Sequence, residues 1–103
     1  MVESPAQADT SAIAAERITP ETGKLRLRVL TIISRTGGCT DEEGIRLTGL
    51  PSSTYRPRRV ELHKGWRDFD GGYIEDSGER RSTASGRPAI IWRITMKGRN
   101  ALD

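Results

Sequence analysis

Three aliphatic hydroxyls and five basic side chains crowd the stretch PSSTYRPRRVELHKG, residues 51–65: Ser52, Ser53 and Thr54, then Arg56, Arg58, Arg59, His63 and Lys64. A guanidinium is a planar fork of N–H donors that can satisfy two acceptors at once, on phosphate, on carboxylate or on the O6 and N7 edge of guanine. Hydroxyls that open a helix can bond phosphate or a base edge beside the free N–H groups of its first turn. The pattern suits a polyanion, and it also suits an amphipathic helix whose arginines are solvated. Tyr55 belongs to the same candidate contact set and, with Leu62 and Trp66, to an apolar stripe. Arg58 and Arg59 flank that stripe, where their stems can cover the edge of a core while their heads reach out. Val60 falls outside it, which suggests a kink or a rotated face at Pro57. An interior proline costs about 3 kcal/mol, so Pro57 must lie near the start. Either a helix capped by Ser52 or Ser53 contains it, or the regular helix begins at Arg56 with Pro57 in its first position.

Other chemistry is sparse. His63 has no second histidine and one distant cysteine, Cys39, so phosphate or solvent suits it better than a metal. Asp41, Glu42 and Glu43 follow Thr40 in a capping box and place acid against the positive end of a helix dipole, which explains them without a metal or catalytic role. No P-loop, dinucleotide fingerprint, nucleophile elbow or paired-carboxylate spacing is present. The expectation is no catalytic residue, no metal, no cofactor and no enzyme activity.

The elements that position these groups must fit in 103 residues, enough for one small domain. Residues 1–23 hold four acids and one base, whereas residues 24–103 hold sixteen basic and ten acidic residues. The acidic, Ala/Ser/Thr-rich leader 1–19 is expected to be disordered or partly helical, with a short turn over 11–18. The basic body, 20–103, favours a polyanionic partner. A single cysteine excludes an intrachain disulfide and fits a reducing compartment. No apolar run approaches the roughly 18 residues a bilayer span needs, and the N-terminus lacks the basic and apolar regions of a signal peptide. A soluble cytoplasmic protein, with no membrane contact, is expected.

Residues 24–35 read as a core helix, with Leu25, Val29, Ile32 and Ile33 on one face and Lys24, Arg28, Thr31 and Arg35 on the other. Thr19 and Pro20 would cap and open it, and Gly37-Gly38 would end it. A two-turn helix follows within 39–50, stopped by Gly49, and a third runs from 52 to about 64, stopped by Gly65. Residues 73–76 and 89–95 read as strands around a polar loop holding Arg80, Arg81 and Arg87. In the intervening WRDFDGG, residues 66–72, Trp66 and Phe69 are expected to point inward.

Two helices joined by a short Gly-containing turn, the second opening with small polar residues and carrying arginines, match a helix-turn-helix, and a hairpin after it is a wing. The order TDEEGIRLTGL, PSSTYRPRRVELHKG and YIEDSG…SGRPAIIWRIT resembles a winged helix-turn-helix domain over roughly residues 20–100. It is similar in particular to small bacteriophage proteins of actinobacterial hosts, and ITMKGRNAL resembles the strand-to-helix exit of MarR-like and PadR-like regulators. The resemblance implies an α+β fold of three helices plus a two- to three-stranded wing. It also implies binding of double-stranded DNA through 52–59 and Arg80, Arg81 and Arg87, as a small transcriptional regulator. The 66–72 insertion departs from it. That insertion and the leader could instead contact a protein partner. With few residues after Thr95 for a dimerisation helix, a monomer or homodimer is expected.

Overall fold

The computed structural model describes residues 20–103. The expected Thr19 cap, the turn over 11–18 and the leader lie outside the described residues. Within them the chain runs α1 (Pro20–Thr36), α2 (Asp41–Thr48), α3 (Ser52–Lys64), β1 (Ile74–Ser82), β2 (Pro88–Ile94) and α4 (Met96–Leu102). Among the described residues this is an α+β arrangement of four helices and a two-stranded antiparallel sheet, one helix more than expected.

The 3.6-residue period of α1 places Val29 and Ile33 fully inside and leaves Leu25 and Ile32 half-buried at the edge of the face. Leu30, outside the expected stripe, is also buried and widens it. With Cys39, Tyr55, Leu62, Ile74 and Trp92 these residues form the core.

The capping box of α2 is present: the Glu43 N–H donates to Thr40 Oγ1 at 3.1 Å and the Thr40 N–H to Glu43 Oε1 at 3.0 Å. Gly49 ends α2 in the left-handed region, with φ 75°, donating its N–H to the Ile45 carbonyl. Only Gly49, Leu50 and Pro51 separate α2 from α3.

Neither Ser52 nor Ser53 caps α3. Pro51 is the extended N-cap residue, and its carbonyl accepts from the Thr54 and Tyr55 N–H groups at 2.9 Å. The helix therefore does not wait until Arg56 to begin. Pro57 sits inside it, six residues in, where the carbonyl deprived of a partner is that of exposed Ser53. Water can solvate that group, which keeps the cost of the proline well below that of a buried one.

The hairpin differs more. The segment expected to be a loop is mostly strand: β1 continues to Ser82, and the connection shrinks to residues 83–87. The register slips between Asp76 and Arg80, so that Ser77, Gly78 and Glu79 bulge from the ladder. Asp76 holds the bulge by accepting from the Gly78 N–H at 2.8 Å and from Arg80 Nη1 at 3.0 Å. On its other edge, β2 exchanges two backbone hydrogen bonds with Cys39, N–H to carbonyl at 3.0 and 2.9 Å, adding a one-residue bridge that ties the α1–α2 link to the sheet.

Trp66 is the clearest reversal: it is 56% exposed. Gly65, with φ 87°, turns the chain away from the helical stripe, and Trp66 and Phe69 then close a tight turn by two mutual backbone bonds. Only Phe69 goes inward, stacked on Tyr73 at 5.1 Å between centroids and covered by the Arg26 guanidinium at 4.2 Å.

Candidate nucleic-acid interface

The exposed residues of α3 are Ser52, Ser53, Arg56, Pro57, Val60 and Lys64, with Thr54, Arg58, Arg59 and His63 half-buried. At 100° per residue the exposed set spans an arc of about 140° with Val60 near its middle. Tyr55 is 1% exposed and must be removed from the candidate contact set. Its ring packs over Gly44 of α2, where the missing Cβ lets α3 approach. Burial, the neighbouring Cys39 thiol and Asp41 hold its phenol protonated, well above the usual range.

The arginines divide by partner. Arg59 Nε donates to Asp41 Oδ1 at 2.9 Å and its Nη2 to Oδ2 at 2.6 Å, while its guanidinium covers the Trp92 ring at 4.5 Å. Arg58 grips Glu61 in bidentate fashion at 2.9 and 2.8 Å, and Arg26 of α1 donates to the same carboxylate at 2.8 Å. The side chains of Arg58 and Arg59 are only 19% and 17% exposed, so both are internal struts. Arg56 is 51% exposed; it bonds Ser52 Oγ at 2.9 Å and Asp41 Oδ2 at 3.1 Å, at the rim of the same cluster. Arg80 and Arg81 lie on β1, paired with Asp76 and Glu43. Among the described residues Lys64 and Arg87 have no carboxylate within 4 Å. His63 rests against Trp92 at 4.7 Å between ring centroids, turned toward the sheet.

The acidic opening of α2 therefore does more than cap a helix. Asp41 holds Arg56 and Arg59, Glu42 accepts the Ala84 N–H at 3.0 Å, and Glu43 clasps Arg81 Nη1 between its two oxygens at 2.6 and 2.7 Å. One turn of helix is thus bonded to both α3 and the hairpin. Three acids where a cap uses one were the available signal for this, but their partners lie 15 to 42 positions away.

Burial pushes the Glu43 carboxyl up, but the hydrogen bonds from Arg81 and the Thr40 N–H, with the Arg81 charge, outweigh it and hold the group below the ordinary range. Between the lowered folded value and the ordinary value of about 4.3 the unfolded chain binds more protons, so stability rises with pH there. It is lost as pH falls through the folded value. Urea midpoints of the wild type and Glu43→Gln should differ at pH 7 and converge as the pH drops below 4. A constant difference would mean that the charge of Glu43 does nothing for the fold.

Between α3 and the hairpin lies an open cleft of about 590 Å³, with Arg56 and Arg59 on one wall, Arg87 and Ile90 on the other, and Asp41 and Trp92 also lining it. Thr83 and Ser85 add hydroxyls on the hairpin side. Exposed cations and hydroxyls thus face outward from α3 and, across the cleft, from the hairpin turn.

No family model matches this chain, and no curated protein does. Among the described residues no helix is long and apolar enough to cross a membrane, and no group of three His, Cys, Asp or Glu side chains is placed to hold a metal ion.

Proposed function

We propose that the chain binds double-stranded DNA as a small winged helix-turn-helix regulator of the bacteriophage type, working in the cytoplasm of a bacterial host. The exposed arc of α3 enters the major groove, and the hairpin, as a wing, lies along the neighbouring backbone. The observation that carries this is the outward face of α3. It begins three residues after α2, presents Ser52, Ser53, Arg56 and Lys64 to solvent, and has Arg87 beside it across the cleft. Arg56 suits a bidentate guanine contact; Lys64 and Arg87 suit phosphate. Arg58, Arg59, Arg80 and Arg81 hold the frame, so a triple alanine variant at 56, 58 and 59 would report on folding rather than on recognition.

The test is selection from a random duplex pool at two salt concentrations, followed by single variants. Arg56→Ala should cost about 1–3 kcal/mol on the selected site and relax one base position. Lys64→Ala and Arg87→Ala should each weaken all sequences alike and reduce the salt slope by about 0.9. Absence of salt-sensitive duplex retention at low ionic strength would overturn the proposal.

One observation favours a second reading, a protein-binding module: Trp66, 56% exposed, stands on a tight turn with Arg67 at 5.2 Å over its ring. Exposed tryptophan is enriched at interface hot spots. Asp70 of the same insertion is tied to Lys97 at 2.7 Å and Phe69 is packed inside, so Trp66 is the residue on which such a contact would turn. Capture of a host protein abolished by Trp66→Ala, with no duplex retention, would select this alternative.

A further inference from the structure

Val60 occupies the middle of the exposed arc of α3 and is 39% exposed. The fold covers part of it and leaves the rest in water. A β-branched residue is a poorer helix former than alanine or a charged residue. Its neighbours along the same face are Arg56 one turn before, Lys64 one turn after, and Pro57, also exposed. Arg56 and Lys64 stand about 6 Å along the axis on either side of Val60, less than two base-pair steps at 3.4 Å each. An apolar protein surface laid on Val60 would have to desolvate those two cations. A polyanion would pair with them.

The major-groove edge of DNA carries one apolar group, the C5 methyl of thymine. Resting on the DNA-binding proposal above, we infer that Val60 is a specificity-determining residue that packs on the C5 methyl of one thymine in the bound site, with Arg56 and Lys64 engaged on either side of it. The side chain suits the task. A helical valine has essentially one χ1 rotamer, so its methyl groups are held in place before contact and little rotamer freedom is lost on binding. The interaction discriminates by burial alone: a cytosine at that position has only a hydrogen at C5, and its amino donor stands where thymine has O4, so Val60 loses its apolar partner and lies beside a polar group.

The experiment uses the full chain and a duplex selected from the random pool. Each thymine in turn is replaced by deoxyuridine, which removes the methyl and leaves the pairing edge unchanged, and affinities are measured for the wild type and for Val60→Ala. Alanine is the better helix former, and thermal unfolding of the variant shows whether trimming the partly covered valine has changed the fold. At one thymine, deoxyuridine should weaken wild-type binding about fourfold, the value of one buried carbon. Val60→Ala should bind the thymine and deoxyuridine duplexes equally at that position and keep the wild-type response elsewhere. If no thymine shows the penalty, or if Val60→Ala retains it in full, the inference is overturned while DNA binding stands. If no duplex is retained at all, the DNA-binding proposal fails first and takes this one with it.

Discussion

Gly44→Ala is expected to lower the unfolding free energy by about 3 kcal/mol, against a local helix preference that favours alanine over glycine by about 1 kcal/mol. A Cβ at this position would overlap the hydroxyl and ring of Tyr55. Tyr55 has nowhere to move: it is 1% exposed and lies within the core with Val29, Ile33, Cys39 and Leu62. Relief would have to come from separating α2 from α3, which would also strain the Asp41 pairs to Arg56 and Arg59 across the same interface. For a domain of this size the loss corresponds to a Tm lower by about 15 °C. Urea denaturation should show a reduced midpoint with an unchanged slope, the signature of lost stability in an intact two-state transition. Gly44→Ala combined with Tyr55→Phe should recover only part of the loss, because the ring overlaps the new Cβ as well as the hydroxyl does. A Gly44→Ala protein as stable as the wild type would show that the two helices are not packed this closely.

What could be read from the sequence was local. The Thr40–Glu43 cap, the α1 face carried by Val29 and Ile33, and the glycine stops at 37, 49 and 65 depend on residues within a few positions of one another, and each is where it was expected. The order helix, helix, helix, hairpin followed from these. The hairpin's true length did not: Asp76-Ser77-Gly78 has the chemistry of a turn, and the chain uses it to hold a bulge within a continuing strand. Trp66 falls on the helical stripe by spacing, but the helix ends before it, at Gly65, where the backbone changes direction. The candidate contact set was the least legible part. Arginine at 56, 58, 59, 80 and 81 looks equally available in sequence, but whether a guanidinium meets phosphate or carboxylate depends on pairings between residues as far apart as Glu43 and Arg81. Only the fold shows that Arg58 and Arg59 are braced from inside and that Lys64 and Arg87 are not so engaged among the described residues.

Asp41→Ala should move two quantities in opposite directions. Asp41 is 8% exposed and receives three of its four hydrogen bonds from Arg59, the fourth coming from Arg56. Its removal leaves the Arg59 guanidinium, 17% exposed against Trp92, without a counter-charge. An uncompensated part-buried charge costs about 3 kcal/mol, and the loss of an acid from the first turn of α2 adds about 0.5 kcal/mol. Asp41→Asn, which keeps an acceptor of the same shape, should lose less. If α3 faces DNA as proposed, the same substitution frees Arg56 and lets Arg59 swing toward the cleft, where each can displace counterions from phosphate. Affinity for non-cognate duplex should then rise and the salt slope steepen by up to about 0.9 per released arginine, even as the midpoint of unfolding falls. A purely structural Asp41 would lower stability and duplex affinity together. A variant with unchanged stability would mean that the Asp41–Arg59 pair does not brace the helix–hairpin frame at all.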